Sequence, residues 1–284
     1  MIKVLKPGFY SSIQDFGRFG FQEFGVPYSG VMDKKAATLA NTLLGNNEEE
    51  AVLEMTMTGA TLLFSNPTHI AISGADMSAK LNKIPIKLNK IIAVKPNDVL
   101  SFGKLHTGFR CYLAVLGGFK TEVVMNSKSM YHNITKQFKV NKNDELAILK
   151  SSPISKTQHA SIRFDNAYMK NNTIEVFKGP EFNALTKQQQ NNLFSKIFTI
   201  SKNNNRMAYQ LEGVLENNLR PIITSLVLPG TVQLTPSGKL IVLMRDCQTT
   251  GGYPRILQLK ESALNILSQK FTGKTINFKF NSKY

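Results

Sequence analysis

An internal repeat constrains the fold of this sequence more than any other feature. Residues 18–26 read RFGFQEFGV and residues 206–214 read RMAYQLEGV, so Arg, Gln, Gly and Val return at the same positions. Three further pairs recur in the same order, namely IKVLKPG with IEVFKGP, HIAISGAD with LIVLMRD, and NDVLSFG with GKTINFK. Apolar patterning does not dictate the shared Arg and Gln, so we interpret the pairs as a duplication.

The repeated segments have the composition of β-strands, with apolar alternation ended by Gly or Pro. We therefore predict two related β-rich units, each a small barrel, because closing a sheet removes its exposed edge strands. A cleft between paired domains is a favoured position for a ligand site. In such a pair Arg18 and Arg206 occupy equivalent places, as do Asp76 and Asp246.

The formal net charge of +16 suggests nucleic-acid binding at first, but the distribution of the charge argues against it. Of the 35 basic residues, 28 are lysines, and they are scattered among asparagines. Base recognition favours Arg, and the sequence contains no zinc-finger spacing and no RNP-like strand. We therefore interpret the charge as a solvated surface and predict no nucleic-acid partner.

The length and composition favour a cytoplasmic protein of two domains. The 284 residues contain only two cysteines, which argues against a disulfide framework. No run approaches the ~18 apolar residues of a membrane span, and the N-terminal MIKVLKPGFY has no apolar core of a signal peptide. We predict a first domain over residues 1–165 and a second over residues 166–284, joined by a Ser-, Lys- and Asn-rich segment at 151–172.

Periodicity predicts a few helices among the strands. Apolar residues over 32–44 fall on one helical face, with Ser29 as the expected N-cap and Gly45 as the stop. Two further helices are predicted, one in the region from Phe182 to Ile197 and one in ESALNILSQ. The continuous apolar run RCYLAVLGGF is typical of a strand that is buried on both faces.

The densest polar cluster is RDCQTTGGYPR, which follows the apolar strand LIVLM. Its two glycines let backbone N–H groups turn toward an anion, and its threonines and arginines add donors. A carboxylate or phosphate would suit such a loop. An ordinary hairpin turn, in which the threonines bond their own backbone, remains the alternative. The candidate ligand residues are Asp246, Gln248, Thr249, Thr250, Gly251, Gly252 and Tyr253.

The segment SIQDFGRFGFQEFGVPYSGVMD is the second candidate site. Loops that combine glycines with charged and amide side chains often carry function. Asp15 and Arg18 are candidate catalytic residues, and Gln22 and Ser29 are candidate substrate ligands. A local Asp15–Arg18 salt bridge and a helix-capping role for Ser29 and Asp33 are the structural alternatives.

Asp76 ends the strand of HIAISGAD and is a candidate general base or ligand of a substrate amine, with a plain turn residue as the alternative. The four histidines are isolated, and neither cysteine belongs to a Cys-x-x-Cys pair. We predict no metal site. No Gly-x-Ser-x-Gly elbow is present, although a catalytic triad assembled from distant segments stays open.

The motifs together resemble a known family. The segments SIQDFGRFGFQEFGVPYSGVMD, SGAD, VKPNDVLSFG, RCYLAVLGGF, SKSMY, NRMAYQLEG and VLMRDCQTTGGYPRI are similar to the family of the 5-oxoprolinase C subunit, also called KipA or allophanate hydrolase subunit 2. That family is related to the carboxyltransferase domain of urea carboxylase. The resemblance covers nearly the whole chain and implies a mainly β fold of two cyclophilin-like barrels with a few short helices.

The resemblance also implies partners and a reaction. A KipI-like partner (the B component) and a LamB/YcsF-like partner (the A component) are expected to join this chain, and the complex cleaves 5-oxo-L-proline to L-glutamate at the expense of ATP. We expect this hydrolase subunit to be inactive alone. Residue chemistry, and not the resemblance, assigns the roles: Arg18, Arg206 and the TTGG backbone would hold an anionic substrate or a developing phosphate, while Asp15 or Asp76 would handle protons.

Two alternative functions stay open. One is the carboxyltransferase half of a biotin-dependent enzyme similar to urea carboxylase, with biotin supplied from elsewhere. The other is a KipA-type regulator that binds a KipI-like inhibitor of a sensor kinase. The chain departs from the usual family pattern at Asn205 in place of Asp, at Ser225 in place of Glu and at Met130 in place of Thr.

Overall fold

The fold is that of a computed structural model, which describes residues 1–149 and 166–281. It divides into two compact units. Unit 1 comprises Met1–Arg18 and Ser29–Ala167, and unit 2 comprises Phe19–Tyr28 and Tyr168–Tyr284. Most of the connecting segment predicted at 151–172 lies outside the described residues. No helix among the described residues is both long enough and apolar enough to cross a bilayer.

The strands of unit 1 form two sheets. The six-stranded sheet has the order β11-β1-β4-β9-β6-β7, and the five-stranded sheet has the order β2-β3-β10-β5-β8. The strands are β1 Ile2–Lys6, β2 Tyr10–Gln14, β3 Val52–Thr56, β4 Thr61–Phe64, β5 Thr68–Asp76, β6 Lys80–Leu81, β7 Ile84–Pro85, β8 Ile91–Val94, β9 Val99–Ser101, β10 Thr107–Val115 and β11 Glu145–Leu146.

The central strand β10 is buried on both faces, as the RCYLAVLGGF run predicts. Successive side chains of a strand point to opposite faces of the sheet. Leu113 accordingly joins a core cluster shared with the six-stranded sheet. Its neighbours Tyr112 and Ala114 join a second cluster, in which the sheet packs against helix α1 (Lys34–Leu43). The five-stranded sheet is therefore covered on both sides.

Helix α1 is capped by Asp33 and not by Ser29. The Asp33 side chain accepts a hydrogen bond from Ala36 N at 3.1 Å, as an N-cap residue does. Ser29 lies four residues farther from the helix in a left-handed conformation, with φ 56°. The capping prediction for Ser29 was wrong because the chain makes a turn at Ser29 and Gly30 before it enters the helix.

Unit 2 contains a closed seven-stranded barrel of order β12-β19-β16-β17-β14-β13-β20, in which β12 and β20 are parallel. A two-stranded ladder, β15-β18, lies outside this closed order. The elements are β12 Thr173–Lys178, α2 Lys187–Ser195, β13 Phe198–Asn204, β14 Ala208–Glu212, β15 Ser225–Leu226, β16 Thr231–Leu234, β17 Leu240–Leu243, β18 Thr250–Gly251, β19 Arg255–Leu259, α3 Glu261–Ser268 and β20 Thr275–Phe280, with 3-10 turns at Gln22–Phe24, Asn166–Met169 and Phe182–Ala184.

The prediction of a mainly β protein with a few short helices is confirmed. Helix α3 falls in ESALNILSQ, and α2 falls in the region predicted around Phe182 to Ile197.

The two copies of the nine-residue repeat have different conformations. The first contains the 3-10 turn Gln22–Phe24, whereas the second contains barrel strand β14. Gly20 adopts a left-handed φ of 86°, and its counterpart in the second copy is Ala208 at the start of β14. Tyr209 and Leu211 are buried in the barrel, which holds the second copy extended. The nine-residue match therefore indicates a duplication but does not predict a shared local conformation.

The cap assignment generates a stability prediction. Asp33→Ala removes a hydrogen bond to a helix N-terminus, so we expect the free energy of unfolding to fall by about 1 kcal/mol. Ser29→Ala removes a hydroxyl that has no hydrogen-bond partner among the described residues, so it is expected to change stability little. Denaturant unfolding of both variants measures the difference, and a larger loss for Ser29→Ala would contradict the assignment.

Candidate functional site

The carboxylate of Asp15 holds together a loop formed by residues 124–130, which we call the 124–130 loop. Asp15 Oδ1 accepts hydrogen bonds from Gly17 N at 2.9 Å, Ser127 Oγ at 2.7 Å and Ser129 Oγ at 2.6 Å. Asp15 Oδ2 accepts one from Lys128 N at 2.6 Å. Both carboxylate oxygens are thereby engaged, so Asp15 has the contacts of a residue that positions a loop.

Arg18 binds the same loop through its backbone carbonyls. The side chain is fully buried, and its Nε donates to Val124 O at 3.1 Å. A second donor, Nη2, contacts Ser129 O. Asp15 and Arg18 therefore bind different groups of the 124–130 loop. Asp15 accepts hydrogen bonds from N–H and O–H groups of the loop, and Arg18 donates hydrogen bonds to its backbone carbonyls.

Ser29 lies in a tight turn close to the segment that carries these two residues. Its neighbour Gly30 has a φ of 91°, and a Cβ there would overlap the backbone of Phe16 at 2.8 Å. Gly30 N donates to Gln14 Oε1 at 3.2 Å. Ser29 is buried, and its hydroxyl has no hydrogen-bond partner among the described residues. The turn requires glycine at position 30 and leaves Ser29 with unused hydrogen-bonding capacity.

A buried polar group anchors the chain that follows this turn. Met32 N donates to Glu54 Oε2 at 2.8 Å, and Asp33 N donates to Tyr112 Oη at 2.8 Å. Glu54 also forms an ion pair with Arg110, with 3.7 Å between Oε1 and Nε. Burial, together with the Glu54 and Asp33 carboxylates, raises the pKa of Tyr112 well above its usual range. The phenol therefore stays protonated, and its oxygen accepts the hydrogen bond from Asp33 N.

Asp76 lies at the end of β5 and is half-buried. Its Oδ1 accepts a hydrogen bond from Ser78 N at 2.9 Å, which is the arrangement of an Asx turn. The backbone oxygen of Asp76 accepts from His106 N. The second carboxylate oxygen, Oδ2, accepts no hydrogen bond among the described residues. Of the candidate carboxylates, Asp76 is the one with an oxygen available to take a proton.

In unit 2 the candidates Arg206 and Asp246 bind each other. Arg206 Nε lies 2.8 Å from Asp246 Oδ2, and Nη2 lies 3.0 Å from Oδ1, so the pair is bidentate and buried. Asn205, which stands where the family usually has Asp, accepts from Met207 N at 2.7 Å and from Ala208 N at 3.1 Å. The amide oxygen is sufficient for this turn, so the turn does not depend on a carboxylate.

Residues 248–253, which we call the 248–253 loop, form part of the ladder β15-β18. Ser225 pairs with Gly251 and Leu226 with Thr250. Thr249 O accepts a backbone hydrogen bond at 3.0 Å, and Gly252 O accepts one at 2.9 Å. Thr250 is exposed. Two backbone carbonyls of the loop, those of Thr249 and Gly252, are thus used in hydrogen bonds to the segment 222–227.

Gly251 lies against a buried amide that no sequence motif indicated. Gln233 in β16 is 2% exposed, and its Nε2 has no hydrogen-bond partner among the described residues. A Cβ at Gly251 would overlap Gln233 Nε2. The second glycine of the pair, Gly252, has more room, because its Cβ would meet Ile222 O at an ordinary 3.5 Å.

The arginines at the two ends of RDCQTTGGYPR are neutralised by glutamates. Arg255 binds Glu181 through Nη2 at 2.8 Å and through Nε at 3.0 Å. The hydrogen bonds from Arg255 lower the pKa of Glu181, and Glu181 raises the pKa of Arg255. Arg245 forms an ion pair with Glu261. Neither arginine brings uncompensated positive charge to the 248–253 loop.

Three candidates remain, Gln22, Gln248 and Tyr253. Gln22 lies in the first 3-10 turn and accepts a hydrogen bond from Gly20 N at 3.1 Å. Tyr253 is 40% exposed. Gln248 follows Cys247 in the chain. The Cys247 thiol is buried, and burial raises the pKa of this thiol to about 12. A thiol of this kind is not a nucleophile at neutral pH.

Ser127, Lys128 and Ser129 were not among the site residues selected from the sequence. Two serines that flank a lysine are an ordinary composition, and their partner Asp15 lies more than a hundred positions away. The signal available in the sequence was the SKS motif within the family resemblance. No sequence motif contains Gln233, because the feature that distinguishes it is a contact with Gly251 on another strand.

Comparisons with known proteins place the chain in context. Residues 24–280 match a protein family described as carboxyltransferase domain, subdomain A and B. The C subunit of 5-oxoprolinase from Escherichia coli strain K12 is 32% identical over 286 residues, which cover 98% of this chain and 90% of that protein. The resemblance identified from the motifs is confirmed.

Two solved structures have the same fold over 98% of this chain. TTHA0988 is 25% identical with a TM-score of 0.88, and the match covers 55% of its chain. The K. lactis urea amidolyase is 27% identical with a TM-score of 0.85, and the match covers 18% of its chain. This chain therefore spans about half of the first protein and a small part of the second.

The Asp15 contacts predict a stability difference between two conservative substitutions. Asp15→Asn places an NH₂ group against N–H or O–H donors, so we expect a loss of about 2–3 kcal/mol in the free energy of unfolding. Asp76→Asn keeps an oxygen for Ser78 N and is expected to cost less than about 1 kcal/mol. Denaturant unfolding compares the two, and equal losses would contradict the positioning role of Asp15.

The packing of Gly251 predicts a coupled pair of substitutions. Gly251→Ala forces Cβ into Gln233 Nε2 and is expected to cost about 1–3 kcal/mol of stability. Gly252→Ala is the matched control and is expected to be nearly neutral. In a Gln233→Ala background the Gly251→Ala cost is expected to fall sharply, and an unchanged cost in thermal unfolding would show that Gln233 is not the obstacle.

Proposed function

We propose, because the chain belongs to the family of carboxyltransferase domains with subdomains A and B, that it acts as the C subunit of an ATP-dependent 5-oxoprolinase. This enzyme opens the lactam of 5-oxo-L-proline to give L-glutamate. The observation that carries the proposal is the 32% identity to the C subunit of 5-oxoprolinase over nearly the full length of both chains. The intact SIQDFGRFGFQEFGVPYSGVMD and QTTGGYP segments support it.

The geometry supports a division of roles among the candidate residues. Asp15 and Arg18 are positioning residues, because their polar atoms bind the 124–130 loop. Asp76 is the proposed proton acceptor, since Oδ2 remains available. Ring opening consumes one water molecule: its oxygen bonds to the carbonyl carbon, the ring C–N bond breaks, and a carboxylate that takes a proton from the water returns it to the leaving nitrogen. Arg206, held by Asp246, orders the start of the 248–253 loop.

The arginines near the 248–253 loop do not supply uncompensated cations for an ATP phosphate. Phosphate binding needs cations or several free backbone N–H groups. Arg245 and Arg255 are neutralised by Glu261 and Glu181, and Arg206 is neutralised by Asp246. We therefore propose that ATP binds to the assembled enzyme, and we derive no step of the reaction from ATP bound to this chain.

The partners follow from the same proposal. The KipI-like B component and the LamB/YcsF-like A component complete the enzyme, which is expected to be cytoplasmic and inactive when either of them is missing. Asp15, Arg18, Arg206 and Asp246 bind groups of this chain, so we expect other catalytic groups to come from the partners.

A second candidate function is favoured by one specific observation. The similarity to K. lactis urea amidolyase, at a TM-score of 0.85, supports a carboxyltransferase role in which biotin comes from another protein. The KipA-type regulatory role would need only binding to a KipI-like protein. These alternatives predict different activities from the same purified chain.

The test is reconstitution with the KipI-like and LamB/YcsF-like partners from the same source. We expect glutamate release from 5-oxo-L-proline that requires ATP and all three chains. Asp76→Asn is expected to lower kcat by about a hundredfold, the scale of a lost general base, with little change in melting temperature. Binding to the KipI-like partner without turnover by any mixture would favour the regulator, and carboxyl transfer from biotin would favour the carboxyltransferase.

A further inference from the structure

Residues 222–228, which we call the 222–228 segment, present apolar side chains to solvent from a two-stranded ladder. The segment contains β15 and reads IITSLVL, with no charged residue. Ile223 is 95% exposed, Leu226 is 69% exposed and Leu228 is 49% exposed. Single exposed apolar residues are ordinary on a protein surface, but a contiguous group of them marks an interaction surface.

The 222–228 segment is held in place by hydrogen bonds along its length. Ile222 N and Val227 N each donate to a carbonyl of the 248–253 loop, at 2.9 and 3.0 Å. Leu228 N donates to Thr231 Oγ1 at 3.1 Å. The exposed side chains therefore belong to an ordered surface, and a surface that is ordered before binding loses little conformational entropy when a partner docks.

The side chain of Val227 attaches one face of the segment to unit 2. It is buried in an apolar cluster with Leu243 and Cys247. Successive side chains of a strand point to opposite faces, so Leu226 and Leu228 lie on the face opposite Val227, where solvent contacts them. Val227 thus anchors the segment, while its two neighbours remain accessible to another protein.

The backbone of the segment does not offer a fully open edge. Arg255 Nη1 donates to Leu226 O at 2.8 Å, and the same guanidinium group is paired with Glu181. A strand added by another protein would need backbone groups such as Leu226 O for its own hydrogen bonds. We therefore expect docking through the exposed side chains and not through an added strand.

A comparison with strand β7 shows why the 222–228 segment needs to be covered. Ile84 in β7 is 68% exposed, but Lys83 precedes it and Pro85 follows it. Lysine and proline at an edge strand oppose association with other chains. The 222–228 segment contains neither residue, so nothing in its own sequence opposes such association.

Charge distinguishes a second copy of this chain from a different protein as the occupant. The formal net charge is +16, so two copies repel each other. Within residues 217–238 the only charged residue is Arg220, which is exposed. A surface of this kind complements an apolar surface that is bordered by carboxylates.

We propose that the exposed side of the 222–228 segment docks an apolar, carboxylate-bordered surface of the KipI-like partner. Leu226 and Leu228 would lie at the centre of this interface with Ile223. Arg220 would lie at its rim, against a carboxylate of the partner. The identity of the partner rests on the proposed function, whereas the position and chemistry of the surface rest on this chain alone.

The test measures the affinity of the full chain for the KipI-like protein from the same source by isothermal titration calorimetry, without ATP or substrate. Leu226→Ser is expected to weaken binding by about tenfold, because it truncates an apolar side chain at the centre of the interface. Ile197→Ser is the matched control. Ile197 is an aliphatic residue of unit 2 that is 73% exposed and lies outside the segment, so its replacement is expected to leave the affinity unchanged.

Two charge reversals test the rim of the interface. Arg220→Glu is expected to weaken binding by about tenfold at low ionic strength and by less at high salt, because rim charges act through screened, long-range attraction. Lys202→Glu reverses an exposed lysine of the same unit and is expected to have a clearly smaller effect. Unaltered melting temperatures show that each variant is folded.

The inference is overturned if Leu226→Ser and Ile197→Ser weaken binding equally, or if the unaltered chain does not bind the KipI-like protein. It is also overturned if the unaltered chain is a dimer in analytical ultracentrifugation and Leu226→Ser makes it a monomer, because a second copy would then cover the segment.

The outcome is separate from that of the reconstitution. Equal effects of the two serine variants in an enzyme that still releases glutamate would reject the docking surface and retain the proposed function. Binding that depends on Leu226, together with an inactive three-protein mixture, would retain the docking surface and reject the 5-oxoprolinase assignment.

Discussion

The carboxylate of Asp15 is the constraint on which the candidate site of unit 1 depends. Its two oxygens accept four hydrogen bonds, three of them from residues 127–129 of a distant loop. Hydrogen bonds to a charged acceptor are roughly twice as strong as neutral ones. Arg18 completes the arrangement by donating to two carbonyls of the same loop. A short N-terminal segment thereby determines the conformation of a loop more than a hundred residues away.

Charge compensation limits what the polar motifs can do. Arg206, Arg245 and Arg255 belong to the richest polar segments of the sequence, yet each is bound to a carboxylate. Such pairs order loops and contribute little net charge for an anionic ligand. Among the candidate carboxylates, Asp76 has an oxygen that accepts no hydrogen bond among the described residues, and it lies outside these segments. Chemical capacity in this chain therefore depends on which hydrogen bonds are already made and not on the density of polar residues.

The sequence predicted much of the fold because burial patterns are local. The RCYLAVLGGF run identified a strand covered on both faces, and the ESALNILSQ periodicity identified α3. The repeat indicated duplication but not conformation, since Gly20 permits a turn where Ala208 begins a strand. Of the two capping candidates, Asp33 caps the helix and Ser29 does not. The sequence could not separate them, because a left-handed turn at Ser29 cannot be read from composition.

The candidate site was less predictable because its contacts join distant segments. Asp15 could be selected from its motif, but its four donors could not. Ser127, Lys128 and Ser129 are ordinary residues in the sequence, and their contact with Asp15 exists only in the folded chain. A residue role that depends on an unsatisfied atom, such as Gln233 Nε2, is set by tertiary packing and leaves no pattern in the sequence.

The most direct measurement of this account is amide hydrogen exchange of the unaltered protein, resolved by residue. The amides of Gly17 and Lys128 donate to Asp15 and are expected to exchange slowly. Those of Met125 and Asn126, at the exposed tip of the same loop, are expected to exchange fast. Exchange at Lys128 as fast as at Asn126 would show that the Asp15 carboxylate does not hold the loop and would contradict the account.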